Sequence, residues 1–105
     1  MANTSNSVDW NVENQVHMIL QEVKREQHSS PFKEDEEFIQ YIRDGMYDIN
    51  KNCGMKINYE EDLQAKSLLK NYVLYADNKR LAEFKQLYGA EYAFLQAKYY
   101  KPSSL

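Results

Sequence analysis

Residues that interrupt regular structure are scarce in this chain: three glycines and two prolines serve 105 positions. A β sandwich or barrel needs a turn signal every ~8 to 12 residues, so this scarcity predicts an all-α fold built from long helices. At ~100 to 200 residues per domain, the length allows one domain. A folded chain of this mass exposes roughly 6,200 Å² against roughly 18,000 Å² unfolded, which is enough for one modest core. With 43% hydrophobic and 28% charged residues, the composition is that of an ordered globular chain.

Periodicity divides the chain into about four helices between a flexible N-terminal arm, residues 1–8, and an extended C-terminal tail, residues 101–105, with a single helical domain over 9–100. The arm is small and polar from Ala2 to Ser7. Asp9 is a good N-cap, and Val12, Val16, Ile19, Leu20 and Val23 then form one apolar stripe. Ser29, Ser30 and Pro31 form a linker, with Ser30 as N-cap and Pro31 in the first turn of the second helix. Phe38, Ile39, Ile42, Met46 and Ile49 follow the i, i+3, i+4, i+7 rule, and Gly54 ends that helix with a positive φ. The third helix is expected to open at Asn58, with Glu61 completing a capping box. Its apolar surface, Leu63, Leu68, Leu69, Tyr72, Val73, Tyr75 and Ala76, is wide enough for a central position. A fourth helix carries Leu81, Phe84, Leu87, Tyr88, Tyr92, Leu95 and Tyr99, and Gly89 marks a kink or a close helix contact within it.

Motifs that carry chemistry are missing from this sequence. One cysteine, Cys53, rules out an internal disulfide framework and a multi-cysteine zinc site, and it suits a reducing compartment. Lys51 and Lys56 near Cys53 would lower its thiol pKa slightly, although a buried structural thiol is the simpler reading. His17 and His28 lie outside any metal-binding spacing. The run Glu34, Asp35, Glu36, Glu37 suits the positive end of a helix dipole, and consecutive carboxylates on a helix diverge too much to hold one ion. No phosphate loop or nucleophile elbow occurs, so the expectation is a protein without catalysis, metal or cofactor. The polar N-terminus is no signal peptide, and no apolar run approaches the ~20 residues of a membrane span. A cytoplasmic protein without membrane contact is expected.

Charge is segregated along the chain. Residues 33–50 carry two basic and six acidic groups, and residues 79–105 carry five basic and two acidic ones. Such polarity fits either two solvated faces or the pairing of copies in an assembly. In an assembly, Lys79, Arg80 and Lys85 would meet Glu34, Glu36 and Glu37 of a neighbouring copy in a heterologous, ring-closing contact. Nine tyrosines are the other compositional feature. Those at 72, 75, 88, 92, 99 and 100 have helical spacing, consistent with core packing with hydroxyls at the surface, with a protein interface, or with stacking on bases.

The stretch Ile39 to Tyr100 resembles the small helical head-tail connector proteins of long-tailed bacteriophages, also called adaptor or head completion proteins. The similarity lies in Tyr41-Ile42 with Ile49, in Leu68-Leu69-x-x-Tyr72-x-x-Tyr75, and in Phe84-x-x-x-Tyr88-x-x-x-Tyr92-x-x-Leu95. It implies a subunit of an oligomeric, dodecameric ring docked beneath the portal protein, assembled in the host cytoplasm and retained in the virion neck. The ring would extend the DNA channel and receive a neck or tail completion protein, with DNA passing through without sequence-specific binding. It also implies that the C-terminal segment, Lys98, Tyr99, Tyr100, Lys101, Pro102 and Leu105, faces the portal. A channel wall works best without fixed cations, and Asp44 and Asp48 are the residues expected to face it. The alternative is a small helical regulatory or inhibitor protein that binds a single protein partner through the same tyrosines.

Overall fold

The structure, a computed structural model, describes residues 3–27 and 34–101, with side chains for 11–26 and 34–101. Its described residues form five helices and no strand: α1 (Asn3–Gln27), α2 (Asp35–Cys53), α3 (Leu63–Asp77), α4 (Leu81–Leu87) and α5 (Gly89–Lys98). The all-α expectation holds. Ser30 and Pro31, expected to open the second helix, lie outside the described residues, as do His28 and the tail residues 102–105.

α1 begins at Asn3 rather than after Asp9, so residues 3–8, expected as an arm, lie within a helix. Extending a helix costs far less than nucleating one, so turns anchored further along by Val16, Ile19, Leu20 and Val23 carry weaker helix formers with them. α2 starts with Asp35, Glu36 and Glu37 in its first turn, where carboxylates complement the dipole. It ends at Gly54, whose φ of 74° allows its N–H to reach the Asn50 carbonyl at 2.8 Å.

α3 opens at Leu63 and not at Asn58. The Asn58 Oδ1 accepts the N–H groups of Glu60 and Glu61 at 2.9 and 3.3 Å, which closes a local turn. Asp62 supplies the cap instead, its Oδ1 accepting from Ala65 N–H at 3.0 Å. The expected fourth helix is divided at Tyr88 into α4 and α5. A Cβ at Gly89 would meet nothing within 4 Å, so of the two readings of this glycine the close helix contact drops out.

α2 packs on α1, α3 and α5, and α3 packs on α1 and α4. The predicted stripe of α2 fills the centre: Phe38, Ile42 and Ile49 are fully buried, Met46 nearly so, and Ile39 half-buried. α2 and α3 approach closely at Gly45, where an added Cβ would stand 2.6 Å from Leu69 Cδ1 and 2.9 Å from Tyr72 Cδ1. Phe84 anchors α4 within a ring cluster, stacked on Tyr88 at 4.8 Å and touching Tyr72, Tyr75 and Tyr92 at 5.5 to 6.0 Å. Leu63 and Leu87, placed in apolar faces by periodicity, are exposed, because each stands at a helix end turned from the core.

Candidate interaction surface

The C-terminal helices are fastened to the body by two carboxylates. Asp48 of α2 accepts hydrogen bonds from the Tyr92 hydroxyl and Lys85 Nζ, each at 2.6 Å. Burial, followed by the Asp48 carboxylate beside it, pushes the Tyr92 hydroxyl well above its ordinary pKa. Lys85 also stands 4.9 Å over the Tyr92 ring, and Asn52 Nδ2 donates to the Tyr92 carbonyl at 3.0 Å. Asp62 accepts from the Tyr99 hydroxyl and, at 3.0 Å, from Lys98 Nζ. Burial raises the Asp62 pKa, but the bonds from Tyr99, Ala65 N–H and Lys98 outweigh it and hold the carboxyl below its usual value. The same contact, with desolvation leading, pushes Tyr99 up to about 12.

The groups singled out from sequence are therefore spent largely within the chain. Lys98 and Tyr99 meet Asp62, whereas Tyr100 and Lys101 are exposed. Pro102 and Leu105 lie outside the described residues. Lys85 pairs with Asp48, which joins an expected ring-contact residue to an expected channel residue of the same chain. Arg80 grips Glu83 through two bonds of 2.6 and 2.7 Å. Lys79 sits in the α3–α4 turn with a φ of 60°. Glu34 is the N-cap position of α2, and Glu34, Glu36 and Glu37 are all exposed. Lys85 meets α2 at Asp48, about 20 Å along the helix from that acidic turn at 1.5 Å per residue. Asp44 is exposed and accepts from Gln40 at 2.8 Å, while Asp48 is half-buried.

Cys53 is buried, and desolvation raises its thiol pKa; the nearby lysines do not lower it. His17 is exposed, and no group of metal-ligating side chains occurs among the described residues. Of the described helices, none is long and apolar enough to cross a membrane.

Sequence reasoning missed two features. The first is the loop between α2 and α3, which is held by side chains far apart in sequence. Gln15 Oε1 accepts from Tyr59 N–H at 2.9 Å, and Asn50 Oδ1 accepts from the Tyr59 hydroxyl at 2.9 Å and from Ile57 N–H at 3.2 Å. Beside that loop runs a groove of about 830 Å³ with Val12, Met46 and Ile57 on its floor and the Glu13–Arg43 ion pair on its rim.

The second missed feature is the outer side of α5. Leu95 is fully buried and Tyr92 half-buried on the inner side, yet Ala90, Ala93, Phe94 and Ala97 are exposed on the other. Spacings of three and four put these four on one face. Phe94 is 56% exposed, and Leu87 before the helix and Tyr100 after it are exposed to 59% and 68%. Alanines at 90, 93 and 97, flanking Phe94 and opposite the tyrosine spacing, are the signal that could have found this face.

No protein-family model, curated protein or solved structure matches the chain.

Proposed function

We propose that the chain is a structural adaptor that works through protein contact rather than catalysis. Its setting in this reading is the neck of a long-tailed bacteriophage, as a head-tail connector subunit between the portal protein and the neck or tail proteins. The observation that supports an assembly role is that α5 is apolar on two opposite sides. A surface helix normally sets one apolar stripe on the core and a charged side to water, and a helix apolar all round is normally covered. Apart from the Tyr92 hydroxyl bound to Asp48, α5 has only Glu91, Gln96 and Lys98 as polar side chains along its length, and Ala90, Ala93, Phe94 and Ala97 stand in water in the single chain.

The step from an assembly module to a connector rests on the resemblance of Ile39 to Tyr100 to that family. The matching aromatic residues Tyr72, Tyr75, Phe84, Tyr88 and Tyr92 form the ring cluster that joins α4 and α5 to α3. A ring of such subunits extends the DNA channel and leaves the outer face of α5 for neighbouring proteins.

Mixing the purified chain with the portal ring encoded beside it, followed by negative-stain electron microscopy, tests the reading. An added ring of density beneath the portal is expected. Intact portals that gain none would overturn the connector role and leave a helical module that binds a single protein partner.

A further inference from the structure

We infer that the outer face of α5 docks on the same face of a second copy of this chain, the two helices running antiparallel. The inference rests on reading that face as a contact surface, and it names the occupant of the face before any neck protein takes it. Three of the four exposed residues, Ala90, Ala93 and Ala97, are small enough to let two helices approach at the short end of the ~8 to 10 Å range. Phe94 gives the pair its apolar mass, and the same residues are offered by both copies, as a two-fold interface requires.

Charge selects the partner and its direction. Glu91 and Lys98 lie two turns apart on one flank of the exposed face, about 10.5 Å along the axis. A two-fold axis crossing the helix between residues 94 and 95 brings Glu91 opposite the partner's Lys98 and Lys98 opposite the partner's Glu91. A parallel two-fold arrangement puts the two copies' Glu91 and Lys98 on opposite sides of the helix pair, where neither meets its counterpart and the complementarity is lost. Among the described residues Glu91 forms no ion pair. Lys98 already touches Asp62 at 3.0 Å, but its side chain is 43% exposed and an ammonium carries three donors. One ten-residue helix on another buries less than the ~1,200 Å² of a standard interface, so the dimer is a weak one that a stronger partner can displace.

Sedimentation equilibrium over about 10 to 500 µM tests this, the upper concentrations being those at which an interface of this size populates. The intact chain is expected to move from monomer to dimer across that range. Glu91→Lys and Lys98→Glu should each weaken dimerisation about tenfold or more, since each faces its partner with like charges. Mixed in equal amounts, these two variants should form a heterodimer at least as readily as the unaltered chain, because every opposed pair is then of opposite sign. Ala93→Glu, which leaves Asp62 and its bonds alone, should abolish the dimer while the far-ultraviolet circular dichroism stays unchanged. A chain monomeric throughout the range, or variants that fail to associate when mixed while the unaltered chain dimerises, would overturn the antiparallel pairing. Portal binding by Ala93→Glu separates this from the broader reading. Loss of the portal contact in a chain that never dimerised would keep the α5 face as a contact surface with a different occupant. Unimpaired portal binding together with unimpaired dimerisation would remove that surface altogether.

Discussion

Asp62 is bonded to Tyr99 through one carboxylate oxygen and to the first turn of α3 through the other, so a single side chain both starts the central helix and clasps the end of the last one. It is buried, and Lys98 neutralises it from the surface. Replacing a capping carboxylate costs about 1 kcal/mol, and losing charge-assisted hydrogen bonds costs ~1.5 to 3 kcal/mol. Asp62→Ala should therefore lower the unfolding free energy by about 2 to 4 kcal/mol in urea titrations. Tyr99→Phe should cost about 1 to 2 kcal/mol alone and little more when added to Asp62→Ala, since the two act through one bond. Additive losses would show that the Tyr99 hydroxyl acts independently of Asp62, and a Tyr99→Phe without cost would show that Tyr99 holds α5 by its ring alone.

The same carboxylate sets a pH dependence. Asp62 and Glu22 are held below their ordinary values of 3.8 and 4.5. For Glu22, burial works the other way and is outweighed by Lys70 and Lys66, both at 2.9 Å. The unfolded chain then binds more protons than the folded one in acid, so stability is present in full above these ordinary values and is lost as pH falls through and below them. Tyr99 acts at the other end: its value is raised from 10.0 to about 12, so its contribution is present below 10 and lost as pH rises from 10 to about 12. Urea midpoints measured against pH should fall on both sides. Asp62→Asn should reduce both falls without removing either, since burial still raises Tyr99 and Tyr92 keeps its burial and its bond to Asp48 at the alkaline end, while Glu22 keeps its lysines at the acid end.

What was legible in the sequence was whatever depends on periodicity or on a single local residue. The missing breakers give the all-α class, the spacing from Phe38 to Ile49 gives the buried side of α2, and Gly54 gives its end. The start of α3 was not legible because Asn58 and Asp62 are both good caps four residues apart, and the choice depends on Tyr99 and Lys98 reaching Asp62 from the far end of the chain. Read along the chain, Lys85 stands out as a cation for a neighbouring copy and Asp48 as a carboxylate for the channel wall, and only the fold, which lays the end of α4 beside α2, brings the two together. The α5 surface was hidden for the opposite reason. Alanine carries little weight in an apolar pattern, and the tyrosines on the inner side supplied a complete stripe without it.

Glycine to alanine should have opposite signs at two positions. In an open helix site the change is worth about 1 kcal/mol of added stability. Gly89 has open space around its Cβ position, and Gly89→Ala should raise stability by about 0.5 to 1 kcal/mol while strengthening the helix on either side of Tyr88. At Gly45 the new methyl would strike Leu69 at 2.6 Å and Tyr72 at 2.9 Å, both buried between α2 and α3. Overpacking of this kind costs ~1 to 3 kcal/mol, so Gly45→Ala should be net destabilising despite its better helix propensity. A thermal melt of the two variants beside the unaltered chain decides it, and a stabilised Gly45→Ala would mean that α3 can slide away from α2 at little cost.

Lys79 is the residue whose sequence reading and structural role differ most. Expected as a cation for a neighbouring copy, it is the one non-glycine with a positive φ among the described residues, at 60°. Its N–H donates to the Ala76 carbonyl at 3.0 Å, and the Arg80 N–H donates to the Tyr75 carbonyl at 2.8 Å. These are the two bonds of a Schellman ending, in which the left-handed position is one that glycine fills without strain. A side chain there costs roughly 1 to 2 kcal/mol, while glycine loses somewhat more backbone freedom on folding. Lys79→Gly should then stabilise the chain by about 0.5 to 1 kcal/mol, read as a higher urea midpoint with an unchanged slope. If Lys79 also served a ring contact, the same variant would weaken portal-dependent assembly despite its greater stability. A variant both more stable and fully able to assemble would leave Lys79 with the turn alone.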